Sequence, residues 1–76
     1  MSAIGDAALA QTREVIRAKL DRGESPQAIR DRTEANLTRR LAGCSADDPA
    51  RSEILRAHTD YQRAVEQTIR EWEAER

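Results

Sequence analysis

The chain has 76 residues, with 13 basic and 14 acidic side chains and a net charge of −1. It is limited to one small domain and lacks the overall positive field that holds a protein to nucleic acid or an anionic membrane. Isoleucine, leucine and valine together number 12, phenylalanine is absent, and alanine supplies 13 of the 29 nominally hydrophobic residues. Large apolar side chains are scarce, and a core closed by one copy alone is marginal at this size.

Low aliphatic content makes disorder the first rival, but disorder of that kind goes with a high net charge. Here acids and bases alternate along the chain, the pattern of solvated helix faces. The expectation is a folded all-α chain, residues 1–76 forming a single domain, that shares its core with a second copy as a homodimer or with another protein. No apolar run approaches the ~20 residues of a membrane span. The opening Met1-Ser2-Ala3-Ile4-Gly5-Asp6 lacks the basic-then-apolar order of a secretion signal. The single Cys44 has no internal disulfide partner and suits a reducing compartment, so the expected location is cytoplasmic, with a bridge between two copies left open.

Two breaks, Gly23-Glu24-Ser25-Pro26 and Gly43-Cys44-Ser45-Ala46-Asp47-Asp48-Pro49, each join a stop signal to a start signal. A glycine able to take the left-handed conformation precedes a capping oxygen (Ser25, Asp48) and a proline at the first helical position. Helices are expected over residues 6–22, 26–42 and 49–74. The first starts at Asp6 as N-cap and carries Leu9, Thr12, Val15, Ile16 and Leu20 at steps of three and four, with Arg13, Arg17 and Asp21 on its far side. The second aligns Ile29, Thr33, Leu37 and Leu41, flanked by Ala28, Ala35 and Ala42, small enough for close helix approach.

The third helix, about 39 Å long at 1.5 Å per residue, places Ile54, Ala57, His58, Tyr61, Ala64, Val65, Thr68, Ile69 and Trp72 on one stripe and Arg56, Arg63 and Arg70 opposite. Glu66 and Arg70 form an i,i+4 pair. The expected architecture is a short helical hairpin packed on this long C-terminal helix in a dimeric bundle. In it the hairpin covers the first half of the long helix, and residues Glu73 to Arg76 fray.

Catalytic signals are missing. His58 and Cys44 lie 14 residues apart on different elements, and no phosphate loop, no His-Glu-x-x-His and no second cysteine or histidine completes a site. His58 reads as a polar-tipped contact residue and Cys44 as a small residue after a helix stop. Asp47 and Asp48 are explained by capping, Glu71, Glu73 and Glu75 alternate around a terminal turn, and the segment from Ser45 to Glu53 lacks the ligand spacing of a calcium loop. No enzyme activity, cofactor or metal is expected.

One stretch, Arg22-Gly23-Glu24-Ser25-Pro26-Gln27-Ala28-Ile29 with Asn36-Leu37-Thr38-Arg39-Arg40-Leu41, resembles a helix-turn-helix DNA reader in outline over about a quarter of the chain. Where that motif has a small residue, a turn glycine and a branched apolar anchor, this sequence has Arg30, Glu34 and Arg40. The resemblance implies a minimal DNA-binding regulator, residues 22–41 reading the duplex and the third helix dimerising. One uninterrupted helix from Pro26 fits the residues better.

Arg30, Arg32, Arg39 and Arg40 give residues 25–44 an excess of two positive charges, whereas residues 45–76 hold eight acids and five arginines. Opposite local signs favour antiparallel packing of the second and third helices. The basic residues form a contact patch for nucleic acid or an acidic protein surface. Tyr61, Val65, Ile69 and Trp72 are the expected dimer or partner interface, with Trp72 as its anchor. The leading expectation is a small non-enzymatic protein-binding module: an inhibitor, anti-activator or adaptor. DNA binding comes next, and a structural subunit of a larger assembly third. Twelve arginines against the single Lys19 point to a GC-rich bacterial or phage genome.

Overall fold

The computed structural model describes residues 6–76. It contains three helices, α1 (Asp6–Asp21), α2 (Pro26–Ala42) and α3 (Pro49–Ala74). The bounds agree with the expected spans to one residue. The expected N-terminal reading of Met1 to Gly5 and the capping side chain of Asp6 lie outside the described residues. Local chemistry sets the other ends. Ser25 accepts a hydrogen bond from the Ala28 N–H at 3.0 Å, and Asp48 accepts one from the Ala50 N–H at 2.9 Å. Each is followed by proline in the first turn, where a missing N–H costs nothing.

The two glycines differ. Gly23 has φ +99°, and the Gly23 and Glu24 N–H groups return to the Leu20 and Lys19 carbonyls at 3.0 and 3.1 Å, closing α1 as a glycine stop does. Gly43 was expected to do the same but has φ −83°. Its N–H donates to the Arg40 carbonyl at 3.3 Å, so α2 ends in a tightened right-handed turn that any residue can adopt.

Cross-helix ion pairs fix the directions. Arg13 and Arg17 on α1 meet Glu71 on α3 and Glu75 just past its end, so α1 runs parallel to α3. Arg30 meets Glu66, and Glu34 faces His58, so α2 runs antiparallel to α3, as the charge bias implied. Helix α3 lies between the other two, whose backbones barely approach each other. The Cα envelope measures 45 × 26 × 15 Å, and its shortest side corresponds to about two helix layers.

The core is Ile16, Leu20, Ile29, Val65 and Ile69, none more than 3 % exposed, with Tyr61 and Trp72 packed against it. Two threonines complete it, Thr33 and Thr68, whose hydroxyls donate to the Ile29 and Ala64 carbonyls at 2.9 and 2.7 Å. Returning the hydroxyl to the preceding turn lets a small polar residue sit in an apolar interior. No buried side-chain nitrogen or oxygen among the described residues lacks a partner.

Three expectations need correction. Helices α1 and α2 were to cover the first half of α3. Instead the core lies in its second half, because short links make α1 antiparallel to α2 and bring the Gly23 turn level with Trp72. Arg13, Arg17 and Asp21 were assigned to the far side of α1, yet the first two pair with α3, and Asp21 accepts a hydrogen bond from Trp72 Nε1 at 3.3 Å. At the end of the chain Glu75 pairs with Arg17, and the Arg76 guanidinium stands 4.4 Å from the centre of the Trp72 ring. Ala28, Ala35 and Ala42 are exposed and mediate no close helix approach, and Val15 is 46 % exposed. All nine residues of the α3 stripe are buried or half-buried, whereas Arg56, Arg63 and Arg70 are exposed.

Candidate functional site, a basic cleft between α2 and α3

The four expected interface residues separate. Val65 and Ile69 are 1 % and 0 % exposed inside the chain's own core and offer no surface while the fold is closed. Trp72 is half-buried, its ring between the core and Arg76 and its N–H directed at Asp21. Tyr61 borders a cleft beyond the core, and Trp72 borders a second one beside Gly23, Pro26 and Arg76.

The expected basic patch separates too. Arg30 holds Glu66 through three contacts of 2.7, 3.2 and 3.1 Å. The hydrogen bond to Arg30, opposed by partial desolvation, keeps the Glu66 carboxyl below its usual range, and Glu66 in turn raises Arg30. Arg70, the expected i,i+4 partner, adds a smaller favourable charge interaction to Glu66. Arg32 pairs with Glu24 at 3.0 Å. Neither Arg39 nor Arg40 has a carboxylate partner among the described residues.

These two arginines border a cleft of about 380 Å³ lined by Thr33, Asn36, Leu37, Arg39, Arg40, Ala57, His58 and Tyr61. It forms where the second half of α2 lies against the first half of α3. Leu37, Ala57 and the Tyr61 ring give it apolar surface, and none of its lining residues is acidic. Both arginines stand in the last turn of α2, where the helix dipole favours cations, but its roughly half charge offsets only part of two full ones. His58 Nε2 is 3.5 Å from Glu34 Oε1, which also accepts from Gln62 Nε2 at 3.5 Å. Glu34 is thereby engaged outside the cleft lining.

The large aliphatic residues point to the same end. Five of those described form the core, leaving Leu9, Val15, Leu37, Leu41, Ile54 and Leu55. Four of these six belong to the end of α2 and the start of α3, and Leu55 is 42 % exposed.

The resemblance to a helix-turn-helix reader meets an unbroken α2. Glu34, in the place of the turn glycine, is in mid-helix, so residues 22–41 form a turn and one helix rather than two short helices at an angle. Cys44 is half-buried with Sγ 3.8 Å from the Arg40 carbonyl. Among the described residues no group of three or more metal-ligating side chains converges, and no helix is long and apolar enough to cross a membrane. No family model, curated protein or solved structure matches this chain.

Sequence reasoning named Arg39, Arg40 and Tyr61 but not the cleft that joins them. The available signal was the α2 stripe, which continues through Leu37 and Leu41 for two turns beyond the last residue that the core needs.

Proposed function

We propose that this chain is a small non-enzymatic module, acting in the cytoplasm, that binds a larger protein through the α2–α3 cleft as an inhibitor, anti-activator or adaptor. One observation carries the reading: the chain closes a core at one end and leaves four of the six other described large aliphatics, beside two arginines without a carboxylate partner among the described residues, at the other. Apolar surface rimmed by charge is how protein contact sites differ from scattered surface leucines.

The test is affinity capture from the host with the parent and two variants, Leu37→Gln in the cleft and Leu55→Gln outside its lining, each first shown helical by circular dichroism. The expected result is a protein held in stoichiometric amount by the parent and by Leu55→Gln and lost with Leu37→Gln. Capture profiles identical for all three would overturn the reading. A duplex-DNA titration separates the rival: DNA binding must weaken steeply with salt, and no binding of random duplex is expected even at 50 mM salt, because Arg30 and Arg32 are committed to carboxylates.

A further inference from the structure

The protein-binding reading leaves the chemistry of the partner open, and the cleft narrows it. Its lining has cations at one rim, apolar surface between and no acid. Arg39 and Arg40 carry two positive charges with no carboxylate beside them among the described residues, whereas every other arginine on α2 is neutralised by a glutamate. A basic or neutral partner would leave those charges partly desolvated and unpaired. A carboxylate-bearing partner converts them into charge-assisted hydrogen bonds, which arginine makes in bidentate geometry.

Shape sets the second requirement. Along α2 the lining runs from Thr33 to Arg40, two helical turns or about 11 Å. On the core half of α3, that helix is flanked on its two sides by α1 and α2. Leu9 of α1 stands beside Asp60, Arg63 and Ala64, so α1 begins near the level of Tyr61, but no α1 residue lines the cleft. A helix laying one apolar stripe on Leu37, Ala57 and Tyr61 fits a cleft of this length between two helices.

Resting on the protein-binding reading, we propose that the cleft of Arg39, Arg40, Leu37, Ala57 and Tyr61 receives an acidic amphipathic helix of a partner protein. The helix sets an apolar side chain between α2 and α3, and its carboxylates bind the two arginines.

The probes are two synthetic 16-residue helical peptides with leucine at positions i, i+4 and i+7 and either glutamate or lysine at the flanking sites. Each is titrated into the ¹⁵N-labelled full chain. The glutamate peptide is expected to shift amide signals of residues 33–40 and 57–61, to bind at least about tenfold more tightly than the lysine peptide at 50 mM salt, and to lose most of that preference at 500 mM. Arg39→Glu/Arg40→Glu, two exposed positions whose reversal leaves the core intact, is expected to exchange the preference. Equal binding of both peptides, shifts confined to other residues, no shifts at millimolar peptide, or a self-association that moves the same signals without peptide would each overturn the proposal. If these titrations fail while Leu37→Gln still abolishes capture of the host protein, the acidic helix falls and the protein-binding reading stands.

Discussion

Ile69 gives the sharpest test of whether one copy closes its own core. The side chain has no exposed surface and touches a cluster contributed by all three helices. Ile69→Ala removes three carbons from that cluster, and truncations of this kind cost about 2–5 kcal/mol depending on how far the surroundings collapse. Ile69 is enclosed by side chains of all three helices, and a cost near ~3 kcal/mol, within that range, is expected. At the usual ~0.05–0.15 kcal/mol per residue, the whole chain has about 4–11 kcal/mol of stability, and the variant loses a large share of it.

Urea unfolding followed by circular dichroism measures the cost, but concentration dependence gives the decision. If Val65 and Ile69 close a core within one chain, the unfolding midpoint is the same at 1 and 100 µM protein for the parent and for Ile69→Ala. If they instead meet a second copy, the hundredfold increase stabilises the dimer by roughly 2.7 kcal/mol. With a slope near 1 kcal/mol per molar urea for a chain of this size, that moves the midpoint by about 2–3 M. A midpoint that climbs with concentration, or an Ile69→Ala chain as stable as the parent, refutes the single-chain core.

The two glycines separate by sign: Gly23→Ala forces an L-residue to φ +99° and is expected to cost about 1–2 kcal/mol, whereas Gly43→Ala, whose added carbon would meet only the Arg40 carbonyl at 3.6 Å, is expected to be neutral or to stabilise by up to about 1 kcal/mol; thermal melts of both variants decide. Glu66 titrates below its ordinary value because Arg30 holds it, so its contribution is present above the unfolded value near 4.3 and is lost as pH falls through the lower folded value. Both side chains are about a third exposed, which limits the effect to about 0.5 kcal/mol. Stability curves from pH 6 to 2.5 are expected to show a shallower acid limb for Glu66→Gln than for the parent, and identical limbs would count against the pair. Arg30 is raised by the same contact, so its share persists at every pH below the ordinary arginine value and adds no slope in this window.

The helices and their ends were legible because each depends on neighbours in sequence: Ser25 and Asp48 cap their own first turns, and the nine-residue stripe of α3 repeats at the helical period whatever covers it. What covers it depends on residues 58 positions apart. Arg13 and Arg17, four apart, match Glu71 and Glu75, four apart, and that matched spacing was the one sign of a parallel α1–α3 pair. It is hard to weigh in a chain where more than a third of the residues are charged. Gly43 shows the limit of residue-type rules, since glycine permits the left-handed conformation without requiring it. The cleft was illegible for another reason: it is lined by residues of both α2 and α3, and neither helix encodes it alone.

A cleft in a small protein has an ordinary rival explanation, a packing defect that selection never removed, and the two are separable by filling it. Asn36→Leu puts an aliphatic side chain against Leu37 and Tyr61 at a position that is exposed and makes no side-chain hydrogen bond among the described residues. In either case the added apolar contact stabilises the fold, by about 1 kcal/mol if half the side chain is covered, which raises the melting temperature of a chain this small by roughly 4–8 °C. Binding then decides. A defect can be filled without loss, so the filled chain would retain its host protein and still take up the glutamate peptide. A site that is empty because something else occupies it cannot, and the expected result is a more stable protein that binds at least about tenfold more weakly, the exchange of function for stability met when working surfaces are optimised for packing. Higher stability with undiminished binding would identify the cleft as a defect and move the search for the partner surface to Leu41, Ile54 and Leu55.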